Sequence, residues 1–131
     1  MDLGIANKTA VVCASSKGLG RGCAEALAEA GVHLIMNARG EETLNKTADA
    51  IRDRHNVRIE TVVADITTKE GQDKVLSVAG EPDILVNNAG GPPPGLWSDW
   101  DRDDFLTALN SNMLTPIALM SRILPSMITK G

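Results

Sequence analysis

The sequence predicts one α/β domain, a doubly wound parallel sheet with helices on both faces, and three observations carry that expectation. Short apolar runs alternate with longer segments of helical periodicity. The intervals between runs leave room for a helical crossover, and a strand that rejoins the same sheet through a right-handed crossover must pair in parallel. The chain has 131 residues, about one domain's worth and enough for a single core without disulfide or metal staples.

Each element has its own signal. Residues 9–13, Thr-Ala-Val-Val-Cys, read as a continuous apolar strand. A helix follows over 19–30, with Leu19, Cys23, Ala26, Leu27 and Ala30 at helical spacing and Gly31 to close it. Residues 33–37 form the second strand, and 41–54 a mostly polar helix with Leu44, Ala48 and Ile51 on one stripe. Residues 58–64, 67–79 and 83–87 are the third strand, third helix and fourth strand, followed by a loop over 90–95 rich in Gly and Pro. A long helical pattern then runs from about 101 to 130. Along it Phe105, Leu109, Met113, Ile117, Met120, Leu124 and Met127 make a stripe expected to lie on the sheet, while Leu106, Leu114, Ile123 and Ile128 fall largely outside it. A helix apolar on more than one side is buried on more than one side, so a homo-oligomer through this last helix is expected, with Ile123 in the interface. The plain alternative is packing of the extra residues against more of the same chain.

Composition narrows the function. Thirteen basic and seventeen acidic side chains give a net charge of −4, and no run of Lys or Arg provides a footprint for nucleic acid or an anionic membrane. The longest apolar run, residues 10–14, is far short of a membrane span or signal-peptide core, so a cytoplasmic protein without a membrane partner is expected. Cys13 and Cys23 lack metal-ligand spacing and read as reduced thiols used as small hydrophobes, and neither His33 nor His55 has a partner at ligand spacing; no metal is expected. Aromatic residues are scarce: one Phe, two Trp and no Tyr. No mechanism can therefore use a tyrosine of these residues as its acid or base.

The turn after the first strand, Ala14-Ser15-Ser16-Lys17-Gly18-Leu19-Gly20, places small residues where a strand feeds a helix. Backbone amides and the helix dipole at such a turn suit a pyrophosphate, although glycines also punctuate ordinary turns. The second strand ends at Ala38-Arg39, about twenty residues on, where a dinucleotide fold reads the ribose 2′ position. A carboxylate there would accept bonds from the hydroxyls of NAD, but none occurs before Glu41. Arg39 can instead grip the 2′-phosphate of NADP with a charge-assisted fork, and Lys17 adds a second cation; the plain alternative is two solvated surface cations.

The run Val-Val-Cys-Ala-Ser-Ser-Lys-Gly-Leu-Gly-Arg-Gly resembles the cofactor turn TGxxxGxG of short-chain dehydrogenases/reductases, and Asn87-Asn88-Ala89-Gly90 matches their NNAG motif. The resemblance covers nearly the whole chain and implies a Rossmann fold, ending after the helix that follows strand four, with residues 1–131 as one dinucleotide-binding domain. It assigns Ser15, Ser16, Lys17, Gly18, Leu19, Gly20, Arg39, Asp65, Ile66, Asn87, Asn88, Ala89 and Gly90 to an NADP site, with Asp65 where family members bond the adenine amino group. Asn112 falls where the family carries its catalytic Asn, with Asn110 as a rival alignment and local bonding inside a helix as the plain alternative. The Gly-Gly-Pro-Pro-Pro-Gly that begins in this motif is similar to a subgroup akin to 3-oxoacyl-carrier-protein reductases. Trp97 and Trp100 stand where substrate would enter, or simply pack their loop.

Two departures from the family pattern stand out. Cys13 and Ala14 replace its Thr and first Gly, so a positive φ at Ala14 would be strained. The family's Ser, Tyr and Lys of the YxxxK motif have no counterpart here. The resemblance thus implies the cofactor-binding half of an NADP-dependent oxidoreductase acting on a small-molecule carbonyl or alcohol, inactive alone. A nucleotide-binding module without catalysis is the alternative. A methyltransferase-like domain is disfavoured by Ala38 and Arg39, where it would want an acid.

Overall fold

The computed structural model describes residues 1–131. Four strands, β1 (Thr9–Val12), β2 (His33–Ala38), β3 (Ile59–Val63) and β4 (Ile84–Val86), form one sheet in the order β3-β2-β1-β4. Every pairing is parallel. Helices α1 (Gly18–Glu29), α2 (Glu41–Arg54) and α3 (Lys69–Ala79) make the crossovers, and α4 (Arg102–Leu109) and α5 (Thr115–Lys130) follow β4.

Alternation along the strands builds a core on each face. Ala10 and Val12 of β1, with Leu34 and Met36 of β2, pack against Ala24 and Ala28 of α1 and the expected Leu44-Ala48-Ile51 stripe of α2. Val11 and Cys13 turn the other way and meet Ile35, Val62, Val75 of α3 and Leu119 of α5. Burying one such Leu, Ile or Val side chain contributes about 1.5–3 kcal/mol. The two faces together hold the strand ends in a fixed frame.

Two stripes differ from expectation. In α1 the buried positions are Gly20, Ala24 and Ala28, while Leu19 is exposed and Cys23 stands in solvent rather than serving as a core residue. Small residues at four-residue steps let this helix approach the sheet more closely than Leu19 would allow. The last helical pattern is also interrupted. Residues Asn110–Leu114 form a π-helical turn, in which the Thr115 amide donates to the Asn110 carbonyl. The cause is Pro116, which has no N–H to offer the Asn112 carbonyl and whose ring crowds it.

The expected stripe is exposed on both sides of this turn, and a different set of positions meets the core. Phe105, Leu109, Met113, Ile117 and Leu124 are exposed, whereas Thr115, Leu119 and Ile123 are buried. Ile123, expected in a subunit interface, is 3% exposed within the chain itself, so its replacement by Lys would disrupt this core and cannot report on an interface.

The end of α5 is fastened to the start of β4 through Asp83. Its Oδ2 accepts from the Thr9 amide at 2.9 Å and its Oδ1 lies 3.2 Å from Lys130 Nζ, which also donates to the Glu81 carbonyl. The Thr9 amide, then the Lys130 and Lys8 charges, hold the Asp83 carboxyl below its ordinary value. A depressed carboxylate contributes stability above its unfolded pKa, which is lost as pH falls through the folded one. Asp83→Asn is expected to lower stability at neutral pH and to flatten the loss below about pH 4. Urea titrations at several pH values check this; an unchanged acid slope would dissociate Asp83 from it.

Candidate cofactor-binding site

A cleft of about 810 Å³ opens at the carboxyl ends of the strands. It sits where crossovers leave β1 in opposite directions, the switch point at which open α/β sheets bind ligands. Its volume lies within the range of small-molecule and cofactor sites.

The floor is the turn between β1 and α1. Ala14 adopts φ 48°, the left-handed conformation that departure from the family's glycine foreshadows, at a cost of about 1–2 kcal/mol. Its carbonyl accepts from Asn88 Nδ2 at 3.2 Å, while the Cys13 amide donates to the Val86 carbonyl at 3.1 Å. Gly18 has φ 59°, and a Cβ on Gly20 would overlap the Ala14 carbonyl oxygen. Ser16, Lys17 and Leu19 line the cleft.

The start of α1 is open to an anion. Lys17 at its N-cap makes no side-chain cap and the first turn holds no acid. By contrast Thr68 caps α3, Asp101 caps α4, and α2 carries Glu41 and Glu42 in its first turn. The first amides of α1 and its dipole are thus left for a ligand, which fits a pyrophosphate.

The walls come from the other strand ends. Arg39, Gly40 and Thr43 line the side beyond β2, and Asp65, Ile66 and Thr67 the side beyond β3. Asp65 Oδ1 accepts from the Thr67 hydroxyl at 2.7 Å and the Thr67 amide at 3.0 Å. Those bonds, helped by the Arg39 charge, hold the carboxyl below its usual range. Using Thr67 and Thr68 in this loop delays α3 to Lys69, two residues later than the periodicity suggests. Asn88, Ala89, Gly90, Gly91, Pro92 and Pro93 close the side beyond β4, and Asp104, Thr107, Ala108 and Ser111 approach from α4 and the π turn.

Other expected residues stand apart from the lining. Ser15 is fully buried and bonds Asn37, its amide to the Asn37 carbonyl at 2.9 Å, which braces the turn. Gly18 and Gly20 shape the turn, and Asn87, exposed just after β4, is outside the lining. Asn112 is exposed and donates to the Ala108 carbonyl at 3.0 Å, the local bond of a helical Asn. The rival Asn110 donates to the Thr67 carbonyl at 3.2 Å and ties the π turn to the loop after β3. Sequence reasoning missed Asn37, Thr43, Thr107 and Ser111, for which periodicity offers no signal because each sits on a regular element.

Cys13 lies beneath this floor, where burial pushes its thiol up to about 11 against the opposing Asn88 amide; it is a packed, protonated group. No group of three or more His, Cys, Asp or Glu side chains converges anywhere in the chain. No helix is long and apolar enough to cross a membrane.

A parallel sheet with a glycine turn and an uncapped helix start at its switch point is the architecture of the Rossmann class. The sequence model of the family described as short chain dehydrogenase matches residues 8–131, and the chain belongs to that family. An uncharacterised oxidoreductase of Bacillus subtilis, YvaG, is 35% identical over 99% of this chain and 50% of its own length. L-xylulose reductase of Mesocricetus auratus is 30% identical over the whole chain and 52% of its own length. In structure the chain superposes on L-sorbose reductase from Gluconobacter frateurii, solved with NADPH and L-sorbose, at a TM-score of 0.92 and 31% identity, covering 100% of this chain and 51% of that one. The chain therefore spans about half the length of the relatives it matches.

Proposed function

We propose that the chain is the cofactor-binding half of an NADP-dependent oxidoreductase that moves hydride between the nicotinamide and the carbonyl or alcohol carbon of a small-molecule substrate. The observation that carries this reading is the pair of cations on the cleft, Lys17 and Arg39, with Glu41, the first carboxylate after β2, outside the lining. The NADPH and L-sorbose held by the structural relative support it. The cofactor, when bound, supplies the hydride. The residues of this chain would bind and orient it: the α1 amides on the pyrophosphate, Arg39 and Lys17 on the 2′-phosphate, Asp65 on the adenine amino group, and Asn88 to Gly90 along the far ribose. Asn112 would turn from its helical bond to hold a water of the proton path, which makes it the chain's one catalytic candidate.

Titration with both cofactors tests the assignment. A charge-assisted bond contributes about 1.5–3 kcal/mol, so NADPH should bind at least about tenfold more tightly than NADH. Arg39→Ala should remove most of that preference. Equal affinities in the unchanged chain would sink it.

The exposed apolar side chains of α4 and α5, Phe105, Met113, Ile117 and Leu124 among them, would be the surface of a homo-oligomer. A second reading, a nucleotide-binding module without catalysis, is favoured by the absence of tyrosine from these residues.

A further inference from the structure

Asn37 is a buried polar residue that the cofactor motifs do not include. It lies near the end of β2, is 1% exposed, and belongs to the face that carries Ile35 rather than Met36. Its Nδ2 donates to two β3-side carbonyls, that of its ladder partner Val62 at 3.0 Å and that of Ala64, just past the end of β3, at 3.0 Å. Both partners only accept, so the amide nitrogen must be the atom that faces them. Its backbone makes a separate set of bonds: the amide donates to Ser15 Oγ at 3.2 Å, and the carbonyl accepts from the Ser15 amide at 2.9 Å.

One residue thus meets three strand ends. The backbone braces the glycine turn, Arg39 follows two positions later, and the side chain holds the carbonyl immediately before Asp65. We infer that the Asn37 carboxamide is a positioning residue for base recognition, fixing the Ala64–Asp65 peptide so that the Asp65 carboxylate is aimed into the cleft. This rests on the proposed reading of Asp65 as the acceptor for the adenine amino group. The physical basis is a division of labour. Asp65 Oδ1 is already bound by Thr67, which orients the carboxylate relative to its own loop. What fixes that loop relative to β2 is the side chain of Asn37, together with the Ala64 amide bonded to the Ala38 carbonyl at 3.0 Å. A buried amide with both hydrogens in place has one low-energy arrangement, and a site held by such supports keeps its geometry within a few tenths of an ångström. Removing the side chain leaves the Ser15 bonds untouched, so the phosphate turn keeps its brace while the base-reading loop loses one.

The test uses the full chain with Asn37→Ala and, as the milder change, Asn37→Ser, which keeps one donor. In the ligand-free chain, hydrogen exchange at the Thr67 and Thr68 amides should rise about tenfold in Asn37→Ala, with Ser15 unchanged. Unchanged exchange at Thr67 and Thr68 overturns the inference whatever Asp65 binds. In titrations, discrimination between NADPH and its hypoxanthine analogue, which presents an oxygen in place of the amino group, should fall roughly tenfold in Asn37→Ala, and less in Asn37→Ser. The preference for NADPH over NADH, set by Arg39 and Lys17, should stay as it was. Equal loss of both preferences would mean general loosening and overturns a positioning role. Asp65→Ala separates the two layers. If it abolishes base discrimination while both Asn37 variants retain it, the positioning role falls alone; if it leaves discrimination intact, the reading of Asp65 falls, and this inference with it.

Discussion

Gly20→Ala is expected to weaken NADPH binding by roughly ten- to a hundredfold and to lower stability, because overpacking in a closed site costs about 1–3 kcal/mol. The added Cβ would overlap the Ala14 carbonyl oxygen and come within 2.8 Å of Asn88 Nδ2. Neither neighbour can give way cheaply. Ala14 already occupies φ 48°, where its own Cβ is strained, and Asn88 is the group that satisfies the Ala14 carbonyl. The turn would have to open, and with it the start of α1 would leave the position that offers its amides. Gly22→Ala is the control, since a Cβ there meets nothing within 4 Å. Within a helix it should add about 0.5–1 kcal/mol of stability and leave binding alone. Titration of both variants with NADPH, alongside thermal melts, is the measurement. A Gly20→Ala affinity within about twofold of the unchanged chain would show that the turn does not hold the cofactor.

Homogeneous 131-residue chain is expected to oxidise NADPH at the background rate when offered ketones, ketoses and 3-oxoacyl esters. A placed proton donor contributes about 10²- to 10⁴-fold to such reactions. These residues contain no tyrosine to serve as one, and the nearest ionisable group beneath the cleft floor, Cys13, is buried with its pKa raised to about 11. Asp65 is held ionised by Thr67 and Arg39, so it accepts rather than donates a proton at neutral pH. NADPH consumption followed at 340 nm across such a panel checks the expectation. Turnover well above background would mean that another donor, a water held by Asn112 the first to examine, supplies the proton.

Much of the candidate site was legible because it is local in sequence. The glycine turn, the strand-two tip with Arg39, and Asp65 just past strand three are each set by residues within a few positions of a strand end, and a parallel sheet gathers all such ends at one edge. Lys17, Leu19, Arg39, Asp65, Ile66, Asn88, Ala89 and Gly90 accordingly line one cleft. Ser15 lies under the turn, buried, and motif membership does not say which side of a turn faces outward. Its burial depends on Asn37, twenty-two positions away.

By itself the sequence determined the alternation of strands and helices, their parallel pairing, the two-sided core and the charge on the site, since each follows from local periodicity and from the handedness of crossovers. It determined the strain at Ala14 as well, once a residue with a Cβ stood in a turn that needs positive φ. Only the tertiary structure decided which stripe of the last helix is buried. Leu119 and Ile123 lie inside and Ile117 and Leu124 outside, because the side of the helix that meets the sheet is set by packing and not by any period along the chain. Only the tertiary structure brought the Asn37 side chain to the carbonyls of Val62 and Ala64, because the distance between two strands is fixed by packing of the whole sheet and has no period along the chain.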